Sequence, residues 1–416
     1  MGRASEAFPA PPQSPSQSPS QFPPPRLPAP AAEDRAWRLR RRLERLIGHP
    51  VTDHNAIVPL RNGDEIFPAM LGAIRAARRT IDLMTFVYWR GHIAGDFAEA
   101  LAERAAAGVR VRLLLDGFGS RLIERHHLAR MTRAGVDVAW FRAPLWLSPF
   151  KQNHRCHRKV LVIDETTAFT GGVGIAEEWA GDARHTGEWR ETHFRVRGPA
   201  VDGLAAAFAQ NWAECHGELF NERDRFVPQP AAGHAVVQVV RGSASVGWQD
   251  MKTLLRVALE SAEERVRLTT AYFAPSDGFT DLLKATARRG VEVEVLVPGR
   301  HTDKAVCRQA GRRLYAGLLD AGVRIWEYGP TMMHAKVLTA DRVLSVIGSG
   351  NFNRRSFDHD EEVMLAVLDE ELTDVLDGHF AQDLAVSDRI EAGAWPGRPW
   401  TQRLQEHAVA PIRRFL

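Results

Sequence analysis

Two stretches of the chain place a histidine, a lysine and an aspartate at one and the same spacing. His157-Arg-Lys159-Val-Leu-Val-Ile-Asp164 and His334-Ala-Lys336-Val-Leu-Thr-Ala-Asp341 both read His-x-Lys-x4-Asp. Each runs from a polar start into an apolar, strand-like segment, and alternate side chains of an extended chain share a face, so each histidine projects with its lysine. An imidazole beside a fixed cation can attack or protonate a phosphoryl group while the ammonium offsets charge on its oxygens. Two such half-sites facing each other offer a nucleophile, a proton donor and two cations around one phosphate. Asp164 and Asp341 stand at an odd offset from their histidines, which turns them to the opposite face and predicts turn or strand-end anchors.

The second copy continues Gly348-Ser349-Gly350-Asn351-Phe-Asn353-Arg-Arg355-Ser356 and reaches Glu361-Glu362. Together with Asn153-His-Arg-Cys-His157, Trp189-Arg-Glu-Thr-His193 and Ala271-Tyr-Phe-Ala-Pro275, this doubled motif resembles the phospholipase D superfamily. Within it, the chain is similar to the bacterial cardiolipin synthase branch over roughly residues 50 to 416. The resemblance implies an α/β fold of two tandem α/β/α sandwich domains, related by internal duplication, packed about a pseudo-twofold so that both motifs meet in one cleft. It implies a phosphatidyltransferase that works through a phosphohistidine, without metal or other cofactor, and moves a phosphatidyl group to the hydroxyl of phosphatidylglycerol or a related alcohol.

Residue by residue, the resemblance makes His157 the nucleophile and His334 the general acid and base, although the symmetry of the sequence leaves the reverse assignment open. Lys159 and Lys336 hold the phosphoryl oxygens, Ser349 and Asn351 add hydrogen bonds to the phosphate, and the motif counts Asp164 and Asp341 among its catalytic residues. Glu191 and Glu362 occupy the places of the carboxylates that orient the histidines, with Glu361 as a competing candidate. The first copy departs from the pattern: it reads Gly171-Gly172-Val173-Gly174, so Gly174 stands where the second has Asn351 and a phosphate-contacting amide is missing. His154 and Cys156 likewise replace residues that relatives more often fill with Tyr and Asn. A zinc site at His154, Cys156 and His157 lacks a second ligand pair at metal spacing.

The elements that must position these residues alternate. The first half predicts helix over 65–78, strand over 81–88, helix over 94–107 closing at Gly108, strand over 109–115, a helix ending near Gly135 and strand over 136–141. The second half predicts helix over 249–262, strand over 265–273, helix over 281–289 closing at Gly290, strand over 291–297 and a further unit at Ala321-Gly322 and strand to Tyr328. The seam lies near Phe226 to Val236, which sets domains at 49–228 and 229–416.

Ahead of them, residues 1–34 form a Pro- and Ser-rich tail too polar to fold, without an apolar segment of signal-peptide type. Residues 35–48 form a basic amphipathic segment suited to an anionic bilayer or to packing its leucines on the first domain. No run is apolar enough to span a membrane, so the chain resembles the short, peripheral form without N-terminal spans, in the cytoplasm at the inner membrane face. Leu145-Trp-Leu-Ser-Pro-Phe150 is an apolar loop suited to a bilayer or acyl chain. The stretch from Trp395 to Leu416 suits a strap or a second bilayer contact.

Of 416 residues, 44% are hydrophobic and 25% charged, enough for two globular domains, and three cysteines give no disulfide framework. A net charge of +3 favours an anionic partner only mildly and argues against nucleic acid. The expected partners are phospholipid, phosphatidylglycerol first, and an anionic membrane surface. A hydrolysing or transphosphatidylating phospholipase D is the nearest alternative, and a phosphodiesterase nuclease the next. Oligomeric state is not legible.

Overall fold

The computed structural model describes residues 35–142, 154–217, 220, 225, 227–243 and 249–409. The tail 1–34, the apolar loop 145–150, Asn153, Phe226 and the terminal 411–416 lie outside the described residues. Helix α1 (Arg35–Ile47) leads into strand β1 (Val51–Arg61). The first half then runs α2 (Asn62–Ala76), β2 (Thr80–Thr85), α3 (His92–Ala106), β3 (Arg110–Asp116), α4 (Arg125–Arg133), β4 (Asp137–Phe141), β5 (Arg155–Cys156), β6 (Val160–Ile163), β7 (Thr167–Gly171), β8 (Thr192–Arg197) and α5 (Ala200–His216).

The second half replays it as β9 (Ala235–Gly242), α6 (Asp250–Ser261), β10 (Arg265–Thr269), α7 (Asp277–Arg288), β11 (Glu292–Pro298), α8 (Ala305–Arg312), α9 (Tyr315–Asp320) and β12 (Arg324–Tyr328). It ends with β13 (Val337–Ala340), β14 (Leu344–Gly348), α10 (Arg354–Asp358), β15 (Asp360–Leu368), α11 (Glu370–Leu384), β16 (Ser387–Arg389) and α12 (Trp400–Ala408). The expected helix ends are real: Gly108, Gly135, Gly290 and Gly322 all adopt positive φ, the left-handed turn that closes a helix and that glycine enters without a Cβ penalty.

One mixed sheet carries both halves, in the order β16-β12-β11-β10-β13-β14-β15-β9-β1-β8-β7-β6-β2-β3-β4. Outward from the β9–β1 contact the order is the same in both directions, with β16 as an extra edge. β1 and β9 pair antiparallel, Val51 opposite Gln238, as a local twofold requires of equivalent strands. In each half three strands run parallel and two hairpin strands close the set. Every residue of β2 is buried, because helices cover both faces.

The halves also share a core. One apolar cluster joins Phe194, Leu204 and Phe208 of the first half to Val237, Ile347, Val363 and Leu372 of the second, and Ala36–Leu416 holds together as one unit. Helix α1 departs from both expectations for it. Its Leu39, Leu43 and Ile47 are buried with Leu254, Leu255 and Phe273 of the second half, and its arginines face Glu263, Glu260 and Asp53. Most of its apolar stripe is therefore spent on the protein, while Trp37 and Leu46 remain exposed. Trp395 is a strap residue, buried between the guanidinium groups of Arg312 and Arg398 at 5.0 and 4.6 Å.

Candidate active site

Both histidines sit just ahead of a hairpin strand, β6 or β13, in extended chain pinned by the opposite half. The His157 amide donates to the Glu361 carbonyl at 2.9 Å, and the His334 amide donates to the Arg190 carbonyl at 2.7 Å. Each motif is therefore held beside the residue that precedes the other half's carboxylate. The side chains follow: His157 Nδ1 lies 2.9 Å from Glu362 Oε1, and His334 Nδ1 lies 2.6 Å from Glu191 Oε2. Each imidazole is oriented across the seam. Glu361 is not the partner of a histidine; on the opposite face of β15, it meets Arg158 at 3.2 Å.

Lys159 and Lys336 are fully covered and turn back on their own motifs. Lys159 Nζ donates to the His157 carbonyl at 2.8 Å, and Lys336 Nζ lies 3.3 Å from His334 Nε2. Burial draws the two ammonium groups down to about 8 and about 7. Burial also draws His157 down to about 4, against the pull of Glu362. Glu362 is lowered to about 2: burial pushes it up, and His157, Lys159 and Ser349 together outweigh that. A neutral imidazole against an ionised carboxylate donates its Nδ1 proton to it, which leaves the Nε2 lone pair free. His334 lies well below the usual histidine range, first through burial and then through Lys336, Lys159 and His157. Glu191 is raised by burial, with Lys336 opposing.

The surroundings of the two histidines differ. His334 is boxed by Trp179, Trp189 and Tyr272, with ring centroids at 5.2, 5.0 and 6.0 Å, whereas His157 meets Phe86 at 5.0 Å. Ser349, expected at the phosphate, instead donates to Glu362 Oε2 at 2.5 Å and so braces the carboxylate behind His157. Its first-half counterpart, Gly172, leaves no room for such a group: a Cβ there would lie 2.3 Å from Glu191 Oε2. A Cβ on Gly174 would lie 2.8 Å from Val87 and 2.9 Å from Trp179, so the indole fills the place of the missing amide. Asn351 is 3% exposed, and its Oδ1 has no hydrogen-bond partner.

Asp164 and Asp341, counted as catalytic by the motif, stand away from this chemistry. Asp164 accepts from the amides of Arg78, Arg79 and Thr80, and Asp341 from those of Glu263, Glu264 and Arg265. Both lie at positive φ, 49° and 52°, in the hairpin turns, a conformation Asp tolerates better than most residues. They fix where each motif strand ends.

A cavity of about 170 Å³ brings His157, Lys159 and His334 together. Sequence reasoning missed Phe86, Phe118, Tyr272, Asp303 and Lys304 on its walls. The available signal was position: these residues follow the carboxyl ends of β2, β3, β10 and β11, where sheets of parallel strands keep their sites. Tyr272 donates to Asp303 at 2.9 Å, and Lys304 Nζ lies 4.4 Å from the tyrosine ring.

A duplicated sheet that brings His157, Lys159 and His334 to one cavity, with Lys336 beside His334, fits a phospholipase D-like enzyme, and the comparisons narrow the class. Residues 70–184 and 255–384 match the family described as cardiolipin synthase, PLD-like domain. The chain is 32% identical over 350 residues to the probable cardiolipin synthase YwiE of Bacillus subtilis (strain 168), covering 83% of this chain and 69% of that one. It is 32% identical over 373 residues to a cardiolipin synthase of Halalkalibacterium halodurans, covering 88% and 74%. Among solved structures, phosphatidylserine synthase of Haemophilus influenzae Rd KW20 shares the fold, with a TM-score of 0.68, 13% identity and coverage of 91% of this chain and 100% of that one. The chain belongs to the cardiolipin synthase PLD-like family and is a phosphatidyltransferase of the phospholipase D superfamily. No helix among the described residues is long and apolar enough to cross a membrane.

Proposed function

We propose that the chain makes cardiolipin by double displacement at His157. The observation that carries this reading is the crossed pairing of His157 with Glu362 and His334 with Glu191 beside two covered lysines. His157 Nε2 attacks the phosphorus of a phosphatidylglycerol; the P–O bond to glycerol breaks, and His334 gives the leaving alkoxide a proton. The hydroxyl of a second phosphatidylglycerol then attacks the phosphohistidine, yields its proton to His334, and the electron pair of the broken N–P bond returns to His157.

Burial first, and then the repulsion of Lys336 and Lys159, hold His334 below the usual histidine range. A phosphodiester anion between those lysines offsets that repulsion and raises His334 toward the protonated form that the first step needs. Asn351 lies within this reading as a phosphate contact through its Nδ2 donor, since the Oδ1 left without a partner only accepts.

Access to the lipid falls to the cavity rim, in place of α1. Phe118 and Leu122 are 48% and 39% exposed beside Arg121 and Lys304, an apolar and cationic edge that suits the surface of an anionic bilayer at the inner membrane face. The cavity is too small for acyl chains, so these stay in the bilayer while the headgroup enters. The test is mass spectrometry of lipids after incubation of the protein with phosphatidylglycerol vesicles. Cardiolipin plus glycerol is expected. Phosphatidic acid alone would make the protein a hydrolase, and cleavage of single-stranded DNA without any lipid product would make it a nuclease.

A further inference from the structure

Upstream of His157 the chain is extended, and its side chains alternate between two fates. Cys156 turns inward, its Sγ 3.3 Å from the Met84 sulfur. Arg158 also turns inward and spends its guanidinium on the carbonyls of Glu362, Ala207 and Gly242, the carboxamide of Asn211 and the carboxylate of Glu361. Arg155, His157 and Lys159 take the other side, so Arg155 stands two residues from the nucleophile, roughly 6.6 Å along an extended chain.

Arg155 is as enclosed as a core residue, only 9% exposed. Among the described residues its guanidinium makes no hydrogen bond or ion pair. It stands over the face of Phe118 at 4.7 Å, and Phe118 lines the catalytic cavity. The nearby acids act on it only through their charge: Asp116 accepts from the amides of Phe118, Gly119 and Cys156, and Asp360 pairs with Arg355 at 3.2 Å through one oxygen and leaves the other without a partner. None of its nitrogens is among the covered atoms that lack a partner, so the unspent donors face open space where an anionic ligand can reach them. Burial, with Arg355 adding repulsion, already draws it below the usual arginine range. The equivalent position of the second half holds Met332, fully buried and apolar. The halves therefore differ here: a cation stands beside the cavity wall at Phe118 on the His157 side, and an apolar residue takes its place on the other.

We propose that Arg155 is the acceptor subsite, where its guanidinium grips the phosphate of the incoming lipid alcohol and presents that lipid's free hydroxyl to the phosphorus on His157. This rests on the reading of the chain as a cardiolipin-forming transferase. In cardiolipin a glycerol bridge separates the two phosphates, a span comparable with the two-residue step from Arg155 to His157. Arginine's planar fork suits a phosphodiester. Water, ethanol and glycerol carry no second anion and gain nothing from it.

The test sets two acceptors against each other on phosphatidylglycerol vesicles containing ethanol, and reads the ratio of cardiolipin to phosphatidylethanol. Arg155→Gln is expected to lower that ratio about 10- to 100-fold, and Arg155→Lys, which keeps the charge and loses the fork, to lower it less. A ratio unchanged by either variant, or both products lost in parallel, would overturn the proposal while leaving the transferase standing. A second measurement uses the unmodified protein: glycerol 3-phosphate should outcompete glycerol as a soluble acceptor, and equal use would overturn the proposal. Wild-type protein that makes no cardiolipin would remove the underlying reading, and the subsite with it.

Discussion

The two half-sites carry the same motif and are not equivalent. Around His157 the partner carboxylate is ionised, braced by the Ser349 hydroxyl and set beside one aromatic ring. Around His334 the partner carboxylate is raised by burial, has glycine where the other has serine, and the imidazole is enclosed by three aromatic rings. Duplication supplied two copies of one motif, and the packing behind them gave each different surroundings. Under the proposed mechanism, the lowered carboxylate of Glu362 fixes the tautomer of a nucleophile, and the aromatic box leaves the protonation of His334 to respond to the substrate's charge.

The sharpest way to break this comparison is to remove each histidine. His157→Ala should abolish both product and covalent phosphoenzyme, a loss of at least about 10⁴-fold. His334→Ala should lose turnover to a similar degree yet still trap the phosphoenzyme in an acid-quenched single turnover with a good leaving group. Label on the His334 peptide of the unmodified protein, or of His157→Ala, would reverse the assignment. Next come the carboxylates. Glu362→Gln is expected to cost about 10²-fold in kcat and Glu191→Gln about 10-fold; equal losses would mean that the two carboxylates do the same work.

The pH dependence of kcat/KM should be bell-shaped. His157 acts as the neutral imidazole, so activity is lost as pH falls through about 4, and the lysines act as cations, so activity is lost as pH rises through about 7 to 8. Lys336→Arg should carry the alkaline limb upward, and a limb that stays in place would assign it to another group. The smallest effect on chemistry belongs to the aspartates. Asp164→Ala and Asp341→Ala should each cost about 1–3 kcal/mol of stability, visible as a lower Tm, with kcat of the folded fraction retained; a fall in kcat without a fall in Tm would return them to the chemistry.

Much of this was legible in the chain. The His-Lys pairs, the odd offset of Asp164 and Asp341, the helix-closing glycines and the repeated order of helix and strand are local features, each set by residues within a few positions of one another. Ser349 was misplaced because sequence shows which residues are near along the chain and not which way a hydroxyl points; its partner Glu362 lies on the neighbouring strand β15. Helix α1 was misjudged because a leucine stripe looks the same whether it faces lipid or protein. Most of the α1 stripe is buried against residues more than 200 positions away.

By itself, then, the sequence determined the chemistry available and the duplication, since residue types and short spacings are covalent facts. The tertiary structure alone decided the crossed pairing of each histidine with the other half's carboxylate, the separation of Glu362 from Glu361, and the contrast between spent Arg158 and unspent Arg155. Those outcomes depend on strands distant in the chain meeting at the seam, where burial removes water and makes a few ångströms decide which charge has a partner.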